Sequence, residues 1–195
     1  MSMTLNPVNE AAFQKAVQSL ETLNRAAVFH PTGTGKSCIA WKVVEAHPQT
    51  TFFWLVAGAQ RLALRQAELT RYNGGTLPGN VRFCDCEKLA AATPEQWVRL
   101  GEQKPGCIVL DCYHELSAVC WAQSVQKLLR MCPQAKVLGL GVPNGAPVCA
   151  AAQELFADCI VSHMTVAEAM AAGTMPVPSA YACLLYTSDA ADDMQ

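Results

Sequence analysis

A glycine-rich loop between an apolar strand and a helix is the feature that most restricts the fold of this sequence. The segment His30-Pro31-Thr32-Gly33-Thr34-Gly35-Lys36-Ser37 follows the apolar run AAVF and precedes the helical pattern SCIAWKVVEA. Glycines permit the positive φ angles and the close backbone approach that a loop wrapped around an anion requires. A helix that starts at the end of such a loop directs its first amides and its dipole toward the anion. The segment therefore predicts a phosphate-binding loop.

The rest of the chain alternates apolar runs with helical patterns, and this alternation predicts the fold class. Strands are predicted at Ala26–Phe29, Thr51–Ala57, Asn80–Cys84, Cys107–Asp111, Lys136–Leu140 and Cys159–Val161, and helices near Asn9, Lys36, Gln60, Pro94, Leu116, Val148 and Thr165. Near-continuous apolar strands indicate burial on both faces, and alternation with helices indicates right-handed βαβ units. We therefore predict an α/β fold with a parallel sheet of about six strands, flanked by helices on both faces.

Composition indicates an ordered globular chain. Of the 195 residues, 51% are hydrophobic and 15% are charged, and the net charge of −2 excludes a strongly basic nucleic-acid-binding module. No stretch reaches the roughly 18 to 20 apolar residues of a membrane span, and the N-terminus lacks a signal pattern. The sequence thus predicts a cytoplasmic protein with no membrane partner. The ten cysteines are scattered among apolar neighbours, so neither a disulfide framework nor a zinc site is predicted, and Cys84 and Cys86 are expected in one strand.

The loop also predicts its ligand, which is ATP with Mg²⁺. The predicted binding residues are Pro31, Thr32, Gly33, Thr34, Gly35, Lys36 and Ser37. Lys36 is expected to reach the β and γ phosphates, and the Ser37 hydroxyl is expected to ligate Mg²⁺. In a P-loop ATPase a carboxylate at the end of a buried strand holds the metal ion through water. Asp111, which follows the apolar run CIVL, is placed for that role.

From this loop onward the sequence resembles superfamily-two helicases of the DEAD/DEAH type, in the bacterial branch related to restriction-enzyme helicase subunits. PTGTGKS resembles motif I, and the remaining motifs follow in order. They are TFFWLVAGAQRLALRQ for motif Ia, NVRFCDCEKLA near motif Ib, IVLDCYHEL for the D-E-x-H box, AKVLGLGVPN for L-G-L-S-A-T-P, and ELFADCIVSHMTVAEAMAAGTMPVP for the exit from the first motor domain. The resemblance covers about residues 8 to 182, with motif I specific and the others degenerate.

The resemblance implies a RecA-like, ATP-binding first domain of a nucleic-acid-dependent ATPase. It implies DNA or RNA as the partner of the full-length protein, and a second RecA-like domain in cis that is missing here. It also implies that His114 links the nucleotide site to the following motif. The predicted catalytic residues are therefore Lys36, Asp111 and His114.

Two arginines are candidates for the nucleic-acid contact. Arg61 and Arg65 lie four residues apart on one helical face, in the place of motif Ia residues that touch the nucleic-acid backbone. The alternative is a solvated helix face on which they pair with Glu68.

Two departures from the family pattern concern hydrolysis. Cys112 replaces the Glu of D-E-x-H that orients or activates the attacking water, and a thiol is a weak substitute for a carboxylate base. Glu115 could replace it only through a local turn, because in an extended segment Glu115 points away from the side of Cys112. Gly141-Val142-Pro143 replaces S-A-T, whose hydroxyls couple the ATP state to strand movement. We therefore predict that ATP binding survives and that turnover is slow or absent.

Two other functions stay open. One is a regulatory or scaffolding protein that binds ATP without hydrolysing it, which both departures favour. The other is a P-loop small-molecule kinase, although the sequence contains no basic lid segment.

The predicted domain organisation has four parts. Residues 1–25 form an N-terminal helix packed on the domain, 26–175 the RecA-like ATP-binding domain, 176–182 the start of an interdomain linker, and 183–195 a tail. The tail begins CLLYTSDAAD, which resembles the in-frame translation of a transposase-end adapter from sequencing libraries. On this interpretation we expect the natural chain to be visible to about Ala182 and to continue beyond it.

Overall fold

Six short strands form one sheet in the computed structural model, which describes residues 3–111, 121–143 and 154–176. The strands are β1 (Arg25–Phe29), β2 (Phe52–Val56), β3 (Val81–Asp85), β4 (Cys107–Asp111), β5 (Lys136–Gly141) and β6 (Ile160–His163). They lie in the order β3-β2-β4-β5-β1-β6, and all neighbouring pairs are parallel. The predicted α/β class and parallel sheet are confirmed, and the arrangement is consistent with a RecA-like domain.

Helices cover both faces of this sheet, as predicted, and the helices predicted near Leu116 and Val148 begin outside the described residues. The helices of the described residues are α1 (Pro7–Thr22), α2 (Lys36–Ala46), α3 (Ala59–Tyr72), α4 (Cys86–Ala90), α5 (Pro94–Glu102), α6 (Gln126–Met131, after a π-helical turn at Trp121–Val125) and α7 (Val166–Ala171). On one face α1 and α2 bury Phe13 and Ile39 beside Trp54 of β2. On the other face α5 and α6 bury Trp97 and Leu128. The central strands are thus covered on both sides, which explains their nearly continuous apolar sequences.

The strand register places the carboxyl ends of β1 and β4 at the same edge of the sheet. Asp111, the last residue of β4, is level with Leu140 of β5, and Leu140 is level with Val28 of β1. Neighbouring strands lie about 4.8 Å apart, so β1 and β4 are separated by roughly 10 Å with β5 between them. The glycine-rich loop after β1 and the carboxylate of Asp111 therefore belong to one end of the sheet.

The chain changes from strand to helix between Cys84 and Cys86, so the prediction that both lie in one strand is wrong. The carboxylate of Asp85 accepts a hydrogen bond from the amide of Glu87 at 3.0 Å and caps α4, which begins at Cys86. A carboxylate at this position stabilises the first turn of a helix, and the strand ends there. Both thiols are still buried in the same core cluster, where burial raises the pKa of Cys84 to about 11.

Gly139 in β5 provides a test of how tightly the second face is packed. A Cβ at this position would lie 2.6 Å from Cζ of Phe156, whose side chain is 1% exposed. We expect Gly139→Ala to lower the free energy of unfolding by about 1 to 3 kcal/mol, because the core encloses the ring. Urea denaturation measures the loss. Gly79→Ala is the control, since a Cβ there would meet no atom within 4 Å, and equal losses in the two variants would contradict this packing.

Candidate nucleotide-binding site

The glycine-rich loop joins β1 to α2 through two residues with positive φ. Gly33 and Gly35 both have a φ of +88°, which residues with side chains rarely adopt. α2 begins at Lys36 without a side-chain cap. Because the first amides of a helix have no acceptor within it, those of Lys36 and Ser37 can donate to a ligand. The loop thus combines main-chain donors with the positive end of a helix of 11 residues.

The Lys36 side chain folds back over this loop. Its ammonium donates hydrogen bonds to the main-chain oxygens of His30 at 2.7 Å and Pro31 at 2.8 Å. The Thr34 hydroxyl donates to the same Pro31 oxygen at 2.8 Å and closes the turn. Lys36 is 8% exposed, so its charge lies inside the loop and not in solvent. An entering phosphate would replace these two oxygens as the partner of the ammonium.

Asn9 supports the loop from α1, and sequence reasoning missed it. Its side-chain amide Nδ2 donates to the main-chain oxygen of Thr34 at 2.8 Å. Its Oδ1 is buried and accepts no hydrogen bond among the described residues. The available signal was periodicity, because Asn9 is a polar residue on the helical stripe that continues with Phe13, Ala16 and Leu20. A polar residue on a buried stripe indicates a specific contact more often than a solvated position.

His30, at the start of the loop, is fully buried and neutral. Its Nε2 lies 2.8 Å from the Ser162 hydroxyl of β6, which ties the end of β1 to the neighbouring strand. Burial lowers the pKa of His30 to about 4, and the charges of Lys36 and His163 lower it further in the same direction. At neutral pH the ring therefore adds no positive charge beside Lys36.

Asp111 is bound by two donors from β2 and α3. The Trp54 indole N–H donates to Oδ2 at 3.1 Å, and Arg65 Nε donates to the same oxygen at 2.5 Å. Asp111 is 2% exposed. Burial disfavours the charged form of Arg65, but Asp111 and Glu68 outweigh it and raise the pKa of the guanidinium. The carboxylate predicted to hold Mg²⁺ is thus already paired with a cation.

The two arginines of α3 have different surroundings. Arg65 pairs with Glu68 at 2.6 Å, as in the alternative drawn from the sequence, but its ion pair with Asp111 was not foreseen. Arg61 is exposed and lines an open cavity of about 420 Å³ at the start of α3, together with Glu87. A nucleic-acid contact stays a prediction for both arginines.

The D-E-x-H segment beyond Asp111 lies outside the described residues. The roles predicted for Cys112, His114 and Glu115 therefore stay predictions. Gly141, the first residue in the place of S-A-T, is described and ends β5. Its carbonyl oxygen accepts a hydrogen bond from the His30 amide at 3.2 Å, so a main-chain bond joins this segment to the loop.

Comparisons with known proteins do not assign the chain to a family. No protein-family model matches it, and no curated protein is significantly similar to it. No helix in the described ranges is long and apolar enough to cross a membrane. In the same part of the chain, no group of three or more His, Cys, Asp or Glu residues could hold a metal ion. The function of the site is therefore inferred from its motif and geometry.

Gly33 and Gly35 share a backbone conformation but not their surroundings, and this difference can be measured. A Cβ at Gly33 would meet no atom within 4 Å, whereas a Cβ at Gly35 would lie 2.9 Å from Nδ2 of Asn9. Positive φ costs each alanine variant about 1 to 2 kcal/mol, and we expect Gly35→Ala to lose more because Asn9 must also move. Chemical denaturation gives both losses. In a double-mutant cycle Asn9→Ala should cost less in the Gly35→Ala background than in the wild type, and full additivity would argue against the contact.

His30 is expected to make stability depend on pH. Between its ordinary pKa of 6.5 and its folded-state pKa of about 4, the unfolded chain binds a proton that the folded chain does not. The free energy of unfolding should therefore fall as the pH falls from 6.5 toward 4, by at most roughly 3 kcal/mol at about 1.4 kcal/mol per pKa unit. Denaturation at several pH values should show a shallower slope in His30→Gln. An NMR titration that placed the pKa of His30 above 6 would refute this account.

Proposed function

We propose that this chain binds ATP with Mg²⁺ as the first, RecA-like domain of a helicase-like, nucleic-acid-dependent ATPase. The observation that carries the proposal is the loop after β1, where two glycines at φ +88°, an uncapped α2 and the buried Lys36 come together. Such a loop offers a chain of phosphates several main-chain donors and one ammonium. Asp111, at the end of β4 on the same edge, is the carboxylate proposed for Mg²⁺.

The residues of the loop fit a triphosphate. The space beside Gly33 is open with respect to the described residues, since a Cβ built there would meet none of their atoms within 4 Å. In the proposed complex the amides of residues 33–37 and the Lys36 ammonium bind phosphate oxygens, and the Ser37 hydroxyl and Asp111 hold Mg²⁺. Bound ATP supplies the phosphoanhydride bond whose hydrolysis provides free energy for movement. Neutral His30 lets Lys36 interact with the phosphates without a second buried cation beside it.

The proposed partner is DNA or RNA, bound at the start of α3. Arg61 is exposed there, next to the cavity at the start of α3, and arginines commonly bind the phosphate backbone. With a net charge of −2, the chain would bind through a few local contacts and through a second RecA-like domain in cis. We also propose a cytoplasmic location. The free thiols of the described residues, at Cys38, Cys84, Cys86, Cys107, Cys132 and Cys159, support a reducing compartment.

A second candidate is an ATP-binding regulator that does not hydrolyse its ligand. The specific observation in its favour is the Arg65 guanidinium on the Asp111 carboxylate, which opposes Mg²⁺ at that oxygen. The sequence adds Cys112 in the place of the catalytic Glu, and Gly141-Val142-Pro143 without the hydroxyls of S-A-T.

Lys36→Ala tests the proposal. We expect the affinity for Mg-ATP, measured by isothermal titration calorimetry, to fall about 10- to 100-fold, because a hydrogen bond to a charged group contributes about 1.5 to 3 kcal/mol. Lys15→Ala, which removes an exposed lysine of α1, is the control and should bind as the wild type does.

Phosphate release with and without single-stranded DNA or RNA then separates the two candidates. Stimulation that Lys36→Ala abolishes supports the ATPase, and binding without turnover supports the regulator. No binding of Mg-ATP or ATP to the wild type would refute both.

A further inference from the structure

Asp111 is paired with a cation that belongs to the chain itself. Arg65 Nε and the Trp54 indole N–H donate to the same carboxylate oxygen, at 2.5 and 3.1 Å. The Asp111 side chain is 2% exposed and that of Arg65 is 20% exposed, so water screens the pair only weakly. Attraction between opposite charges is stronger in such surroundings than at a surface.

Arg65 also has a second carboxylate within reach. Its Nη1 donates to Glu68 Oε2 at 2.6 Å, and the Glu68 side chain is 34% exposed. Glu68 lies three residues further along α3, on the same helical face. Arg65 can therefore leave Asp111 and still keep an acidic partner nearer to solvent.

A Mg²⁺ ion that used Asp111 would meet this guanidinium at the carboxylate. Mg²⁺ is octahedral and usually keeps several of its waters, which need the space beside the oxygen that they contact. Two cations next to one carboxylate also repel each other. Metal binding at Asp111 and the ion pair between Arg65 and Asp111 therefore exclude each other.

We propose that Arg65 is a tethered counter-ion that pairs with both Asp111 and Glu68 in the nucleotide-free protein and keeps only Glu68 when Mg-nucleotide binds. This inference rests on the proposed function and adds a means of regulating it. Arg65 is on α3 and Asp111 is on β4, so the exchange removes a contact between that helix and the sheet in the nucleotide-bound state alone. Arg61 lies one turn earlier on α3. Loss of the contact between α3 and the sheet would therefore also affect the position of Arg61 on the proposed nucleic-acid surface.

The first test compares the affinity for ATP in Mg²⁺ with the affinity in EDTA. Arg65→Met removes the competing charge and keeps an unbranched side chain, and Arg71→Met is the matched control on an exposed position of the same helix. We expect Arg65→Met to raise the ratio of the two affinities about tenfold or more, since the metal ion no longer has to displace a charge-assisted hydrogen bond. Arg71→Met should leave the ratio as in the wild type. An unchanged or lower ratio in Arg65→Met overturns the proposal, and shows that the pair only holds α3 in place.

Asp111→Asn identifies the group through which Arg65 acts. This substitution should remove the effect of Mg²⁺ on ATP affinity, and should do so equally with Arg65 or Met at position 65. A raised ratio that persisted in the Arg65→Met/Asp111→Asn double variant would mean that Arg65 opposes the metal ion elsewhere, and would overturn the proposal.

Trp54 reports the exchange in the unmodified protein, so the test does not depend on the folding of a variant. Its indole N–H shares an oxygen with Arg65, and its NMR resonance, assigned with Trp54→Phe, should shift with Mg-ATP and much less with ATP in EDTA. No shift at saturating Mg-ATP overturns the proposal. A wild type that binds ATP in neither condition would instead overturn the proposed function, so the two failures are distinguishable.

Discussion

The pairing of β5 with both β1 and β4 is the constraint on which the candidate site depends. It brings Val28, Leu140 and Asp111 to one level, and main-chain hydrogen bonds hold neighbouring strands about 4.8 Å apart. The end of β1, where the loop starts, can therefore neither approach Asp111 nor move away from it without disrupting the sheet. Adjustment to a ligand is left to long side chains, and Lys36 and Arg65 are two such side chains among the described residues.

Both of these cations have hydrogen-bonding partners within the fold before any ligand is present. Lys36 is bound by two main-chain oxygens and Arg65 by two carboxylates, while His30 between β1 and the loop stays neutral. A buried charge without a partner is strongly unfavourable. When a ligand enters this site, Lys36 and Arg65 would consequently exchange one set of partners for another. Neither cation would become a buried charge without a partner.

The strands and the loop could be predicted from the sequence because their signals are local. An apolar run of four residues, as in β1 and β4, or a glycine pattern before a helix is visible within a short window. The contacts that define the site are not local: Arg65 and Asp111 are 46 residues apart, and Asn9 and Thr34 are 25 apart. Nothing in a single sequence pairs such residues, so the pattern of α3 alone places Arg65 on the helix surface. Cys86 was misplaced for a related reason, since the N-cap role of Asp85 depends on the backbone turning there.

Gly139 and Phe156 have a consequence for sequences related to this one. Because Gly139 has no side chain, there is space above the middle of β5. The Phe156 ring, from a segment that follows the strand, fills this space. In an alignment of relatives these two positions should covary, with a larger residue in the strand found only where a smaller one replaces the aromatic ring. Such a pattern would mark membership of the same structural group even where the glycine-rich loop has diverged.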